Sequence, residues 1–120
     1  MIYTSYYANH KAYSDFYRIS ISRTAPIHSY DLRLLDLAPS SQLLKDYKNG
    51  IANEEEYVRR YLSSLEALKK RGYLDKFVNY LNSHTQDVVL LCYEKPDKFC
   101  HRHILANYLN QNYNMNISEL

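Results

Sequence analysis

The chain has 120 residues, 46% of them apolar, a composition that suits one compact domain with a core and excludes wholesale disorder. It contains only 2 glycines, Gly50 and Gly72, so neither a G-x-x-x-x-G-K phosphate loop nor a G-x-G-x-x-G dinucleotide turn can be written. A formal net charge of +2 is too small to indicate a nucleic-acid binder by itself.

The N-terminal segment predicts two strands. Residues 2–7 are β-branched and aromatic, which is typical of a strand. Residues 8–17 are polar and rich in tyrosine, and they predict a loop or a short helical turn. Residues 17–22 alternate, with Ile19 and Ile21 on one face, and they predict the second strand.

The middle of the chain predicts three helices. The first follows Pro39-Ser40-Ser41. The second begins after Asn53, a preferred N-cap residue, and ends at Gly72, the natural C-terminal stop. The third carries apolar residues at i, i+3, i+4 and i+7 between positions 74 and 81.

The last third predicts a strand, a helix and a short strand. Residues 88–92, VVLLC, form a continuous apolar run, as expected for a strand with helices above and below it. A helix begins near residues 97–100, and residues 114–118 alternate weakly. Together the elements predict one α/β domain over residues 1–120, a three-layer Rossmann-like fold with a short, mainly parallel sheet and helices on both faces.

Signals for targeting and for membrane insertion are absent from the sequence. The N-terminus lacks the apolar core of a signal peptide, and no run approaches the roughly 18 apolar residues of a membrane span. The 2 cysteines are too few for a disulfide scaffold. We therefore expect a cytoplasmic protein with reduced thiols and no membrane partner.

The chain contains 14 tyrosines, 3 phenylalanines and no tryptophan, so most of its aromatic side chains carry a hydroxyl group. Tyr57 and Tyr61 recur at helical spacing with leucines, which predicts core packing. Tyrosines of the first quarter, together with Lys11, Arg18 and Arg23, could stack nucleic-acid bases, but half-buried packing at sheet edges is the preferred interpretation.

Chemically reactive side chains are concentrated in residues 90–106, LLCYEKPDKFCHRHILA. Two thiols, two imidazoles, two carboxylates and a guanidinium lie at the exit of the most buried strand and in the first turn of the next helix. Ligands of open α/β sheets bind beyond the carboxyl ends of the strands, and a helix start offers free N–H groups to an anion. This segment is therefore the predicted functional site.

Two elements of this segment, Cys92-x-Glu94 and Cys100-His101-Arg102, resemble the C-x-E…C-H-R signature of the domain of unknown function 488 family. Further similarity lies in the opening strand IYTSYY, the pair Ser22-Arg23, the LAPS stretch and the helix EEYVRRYLSSL. The resemblance implies a small single-domain α/β fold. It implies no agreed activity and names no cofactor.

Our leading interpretation is an anion site for a phosphate-bearing ligand, such as a nucleotide or a nucleic-acid end. Arg102 and Arg23 are the best candidates, because a guanidinium offers a bidentate fork to phosphate. Ser5, Tyr6 and Ser22 stand at or just beyond the predicted strand ends, where they would complete a polar rim.

An alternative is a cysteine-dependent enzyme. Cys100 would be the nucleophile, His101 its base, and Glu94 the group that orients His101. A helix start and nearby cations depress the pKa of a thiol. In its resting role Glu94 would pair with Arg102 or bond His101, which would tie the strand end to the helix start.

A further alternative is a Cys/His metal-binding module. It would use Cys92, Cys100 and His103, with Glu94 or His101, but no C-x-x-C pair is present, and no metal ligands are predicted. Cys92 otherwise ends a core strand at the rim of the ligand site. A Cys92–Cys100 disulfide stays open, because it needs Cα atoms within about 7 Å of each other.

Overall fold

The computed structural model describes residues 1–120 as a parallel sheet with helices around it. The strands are β1 (Ile2–Tyr6), β2 (Tyr17–Ser20), β3 (Leu32–Arg33), β4 (Val88–Cys92) and β5 (Ser118–Glu119). The α-helices are α1 (Ser41–Lys48), α2 (Glu54–Lys70), α3 (Tyr73–Asn82) and α4 (His101–Tyr113). Two 3-10 helices cover Tyr7–Tyr13 and Leu35–Leu37.

The strand order is β3-β2-β4-β1-β5, and every neighbouring pair is parallel. All five residues of the central strand β4 are buried, as their continuous apolar run predicted. On one side β1 pairs with β4 from Ile2 opposite Val88 to Tyr6 opposite Cys92, and β2 pairs with β4 on the other side. The predicted α/β fold with a parallel sheet is therefore confirmed.

The two faces of the sheet are covered differently. Ile19 and Leu90 face the α-helices and belong to a core of 19 buried residues, to which α2, α3 and α4 contribute most of the side chains. Val89 and Leu91 face the other way and pack on Tyr7 and Tyr13. The third layer is thus the 3-10 helix Tyr7–Tyr13, in the stretch that predicted a loop or a short helical turn.

Helix α2 shows how local signals set its limits. The side chain of Asn53 accepts a hydrogen bond from the backbone N–H of Glu56 at 2.9 Å. Gly72 follows the helix with φ of +79°, a left-handed conformation that favours glycine. The apolar stripe of this helix, including Tyr57 and Tyr61, is buried, so α2 brings tyrosines to the sheet.

Neither β3 nor the 3-10 helix Leu35–Leu37 was predicted, and β5 overlaps only the last residue of the weakly alternating stretch 114–118. The structure has no helix that combines the length and the apolar character needed to cross a membrane.

Candidate functional site

A cavity of about 180 Å³ opens beyond the carboxyl ends of β2 and β4. It lies between the segment that follows β2, the loop that follows β4 and the start of α4, so it occupies the place predicted for the functional site. Six of the residues singled out in the sequence line it: Ser22, Arg23, Cys92, Glu94, Cys100 and His101.

Helix α4 begins at His101, and the extended residue Cys100 is its N-cap. The His101 ring is buried, and its Nε2 lies 2.6 Å from the carbonyl oxygen of Ile21, the residue after β2. A carbonyl can only accept, so Nε2 carries the hydrogen and Nδ1 presents a lone pair. Nδ1 is 3.8 Å from Cys100 Sγ. Burial lowers the pKa of His101 to about 4, so this imidazole is neutral at pH 7.

Cys92 and Cys100 meet beside the cavity. Their sulfur atoms are joined as a disulfide, which differs from the expected reduced thiols, although their Cα atoms are 7.8 Å apart, slightly beyond the spacing of about 7 Å expected for such a bond. Both residues are buried and both line the cavity. On reduction, two thiols would therefore stand side by side at the end of β4 and the start of α4.

Arg102 is fully buried and does not line the cavity. Its Nε and Nη2 donate to the carboxylate of Glu119 at 3.1 and 2.8 Å. Its Nη1 donates to Cys92 Sγ at 3.0 Å and to the carbonyl oxygen of Glu94 at 2.6 Å. Arg102 thus ties the end of β4 to the start of α4 through the backbone of Glu94, while its ion pair is with Glu119 of β5.

The carboxylate of Glu94 is exposed and lies 3.9 Å from Cys92 Sγ. The hydrogen-bond partner that orients His101 is the carbonyl of Ile21, not Glu94. Arg23 donates from Nε and Nη2 to the carbonyl oxygen of Pro39 at 3.2 and 3.1 Å, which leaves its Nη1 unpaired in the cavity wall.

The remaining candidates are occupied by local contacts. Ser22 Oγ bonds the Tyr7 hydroxyl at 2.6 Å. Ser5 is buried and accepts from the side chain of Asn9 at 3.1 Å, and neither Ser5 nor Tyr6 lines the cavity. His103 turns its Nδ1 to 3.9 Å from the Glu119 carboxylate, also outside the cavity.

Four aromatic residues that were not predicted as site residues line the cavity: Tyr47, Tyr57, Tyr93 and Phe99. Three of them, Tyr47, Tyr57 and Phe99, contact one another. Their ring centroids lie between 4.9 and 5.4 Å from one another. Burial, and then the negative charge of Glu94, raise the pKa of Tyr57 well above its ordinary value. One feature of the sequence could have indicated a role for Tyr57 in the site. It places a hydroxyl on the apolar stripe of α2, where phenylalanine or leucine would pack equally well.

Three buried donor atoms lie within 4.8 Å of one another: the sulfurs of Cys92 and Cys100 and a ring nitrogen of His101. Two thiolates and one imidazole are a donor set that zinc accepts. With the cysteines reduced, these three side chains could hold one soft divalent cation, and His103 takes no part in the cluster.

Comparison with protein-family models gives a match that covers most of the chain. A family model described as the Active DUF488-N3 subclade matches residues 2–113, which include every side chain that lines the cavity. No curated protein and no solved structure matches the chain.

Proposed function

The chain belongs to the DUF488 family, and we propose that it is an enzyme in which the Cys100 thiol attacks a small substrate bound in the cavity. The observation that carries this proposal is the 3.8 Å contact between Cys100 Sγ and the unprotonated Nδ1 of His101. A nucleophile within reach of a base, with the base oriented by a third group, is the arrangement that activates a thiol.

Each group has a defined part in the reduced protein. The Cys100 S–H gives its proton to Nδ1 of His101. Burial opposes the imidazolium that forms, and two groups offset this burial: the Ile21 carbonyl, which accepts from Nε2, and the new thiolate 3.8 Å from Nδ1. The thiolate lies at the start of α4, where free N–H groups and the helix dipole favour negative charge. The sulfur then bonds an electrophilic carbon of the substrate, the bond from that carbon to the leaving group breaks, and the leaving group takes the proton from His101.

The positions of the arginines support binding of a phosphate-bearing ligand less well than the site supports the thiol enzyme. The guanidinium of Arg102 is bound to Glu119 and to the end of β4, so Arg23 is the cation that lines the cavity. The carboxylate of Glu94 lines the same cavity and repels an anion. Arg23 and the start of α4 are the features that still favour this function.

Alkylation of the reduced protein tests the thiol enzyme. With limiting iodoacetamide and peptide mass spectrometry, we expect Cys100 to react faster than Cys92. His101→Gln keeps a donor for the Ile21 carbonyl but removes the base, and it should slow the reaction at Cys100 about tenfold or more. His103→Gln is the matched control, because its ring lies on the same helix but outside the cavity. Equal rates in both variants would refute the proposal.

A second candidate, a zinc site, is favoured by the three donor atoms of Cys92, Cys100 and His101. Elemental analysis of reduced protein purified without a His tag decides between the two. One zinc per chain that is lost in Cys92→Ser would support the metal site. Metal-free protein whose Cys100 stays reactive in Cys92→Ser supports the thiol enzyme.

A further inference from the structure

One wall of the cavity consists of three aromatic rings in mutual contact. Tyr47 comes from α1, Tyr57 from α2, and Phe99 from the loop before α4. The Tyr57 and Phe99 rings are nearly perpendicular, at 77°, and the Tyr47 and Phe99 rings are inclined by 37°. Such rings offer both faces and edges to another planar ring, and aromatic pairs prefer offset or edge contacts.

The hydroxyl of Tyr57 is the one polar group of this wall without a partner. The residue as a whole is only 4% exposed, but its Oη makes no hydrogen bond within the protein and is not among the fully buried unpaired atoms, so it reaches the cavity. By contrast, the Tyr47 hydroxyl donates to Glu54 at 3.5 Å, and that of Tyr61 donates to the carbonyl of Leu37 at 2.6 Å. The Tyr57 hydroxyl is therefore open to the cavity, where water or a bound molecule can pair with it.

Two charged groups of opposite sign line the same space. Arg23 presents its unpaired Nη1 as a donor, and Glu94 presents its carboxylate as an acceptor. A ligand that satisfies both must carry an acceptor and a donor of its own. A purely apolar ring would engage neither charged group, and an anion would be repelled by Glu94.

The size of the cavity suits one ring. A volume of about 180 Å³ accommodates a single planar ring with its substituents, and any further part of a ligand would extend through the opening to solvent. The thiol of Cys100 borders this space, so a ring bound there would lie beside the nucleophile.

We propose that the cavity binds a single planar heteroaromatic ring that carries an amide-type edge, as in a pyrimidine base or a pyridine carboxamide. The ring packs against Tyr57 and Phe99, its donor and acceptor meet Glu94 and Arg23, and the Tyr57 hydroxyl completes its hydrogen bonding. This inference deepens the proposed function and rests on it for the role of the ring as a substrate.

The test measures binding without chemistry. ¹⁵N-labelled protein with Cys92→Ser and Cys100→Ser is titrated separately with uracil, cytosine and nicotinamide, and with cyclohexanol and inorganic phosphate as controls. We expect saturable NMR shifts at residues 22–24 and 93–101 with at least one of the three ring amides, and none with the two controls. Phosphate binding as tight as that of the rings, or no saturable shift with any ring, overturns the proposal.

Two tyrosine variants of the same protein add a matched comparison. Tyr57→Phe keeps the ring and removes the unpaired hydroxyl, and it should weaken binding by roughly three- to tenfold. Tyr61→Phe removes a hydroxyl that bonds Leu37 outside the cavity, and its affinity should stay unchanged. Equal affinities for both variants would show that Tyr57 does not contact the ring. Because the serine protein lacks the nucleophile, a failure to bind a ring is separate from a failure of His101-dependent alkylation.

Discussion

Replacing Glu119 by glutamine should destabilise the fold far more than its place at the edge of the sheet suggests. Its carboxylate is the counter-charge of the fully buried Arg102 and also accepts from the hydroxyl of Thr4 at 2.6 Å. Removing one partner of a buried ion pair costs about 3–5 kcal/mol, because the other charge stays buried without compensation. Glu119 is 23% exposed, so we expect the lower end, about 3 kcal/mol. At roughly 1.5 kcal/mol per M, the urea midpoint should fall by about 2 M.

The control is Asp31→Asn, which removes the partner of Arg18. Both members of that pair are about a third exposed, at 31% and 39%, and its loss should cost less than about 1 kcal/mol. A midpoint change for Glu119→Gln as small as that of Asp31→Asn would refute the reasoning. The double variant Arg102→Met with Glu119→Leu removes both charges and should recover part of the lost stability.

Three further predictions follow from buried or capping groups. The pKa of His101 is about 4 in the folded chain and near 6.5 in the unfolded chain. Protonation of this residue therefore lowers the free energy of unfolding only below about pH 6.5. This free energy should fall by roughly 3 kcal/mol as the pH drops to 4, and urea unfolding of wild type against His101→Gln isolates this loss. Asn53→Ala removes the N-cap of α2 and should cost about 1 kcal/mol by the same assay, whereas Asn53→Ser should cost little. Tyr61→Phe leaves the buried carbonyl of Leu37 without its donor and should cost about 1–2 kcal/mol, measured by thermal unfolding.

Each of these has a contrary result. If wild type and His101→Gln lose the same stability between pH 7 and pH 4, the imidazole is not held neutral by burial. Equal stability of the alanine and serine variants at Asn53 would mean that the cap contributes nothing. A Tyr61→Phe melting temperature equal to that of wild type would mean that the Leu37 carbonyl finds another donor.

The fold was predictable where its signals are local. Asn53 and Gly72 delimit α2 through capping geometry, and residues 88–92 predict a central strand through their continuous apolar run. The two-residue strands β3 and β5 carry no periodicity of their own. They exist because β2 and β1 offer backbone partners, which is long-range information that no short window contains.

The candidate site, like the fold, was predictable only where it depends on residues that are close in sequence. Cys100 and His101 are neighbours in sequence, so their contact could be expected once α4 was placed. The orientation of Arg102 could not, because it depends on Glu119, whose strand pairs with β1 at the far edge of the sheet. Tyr57 was correctly predicted to be buried, but the cavity beside it depends on the packing of α1 and of the loop before α4.

The two edges of the sheet bear on how copies of this chain behave toward one another. An edge strand exposes unpaired N–H and C=O groups that a second chain can use as a template. Here β3 and β5 are each only two residues long, while the long apolar strand β4 is enclosed on both sides. Each edge strand therefore offers a neighbouring chain only two residues of regular strand backbone. Aggregation by strand addition should require prior unfolding that exposes residues 88–92.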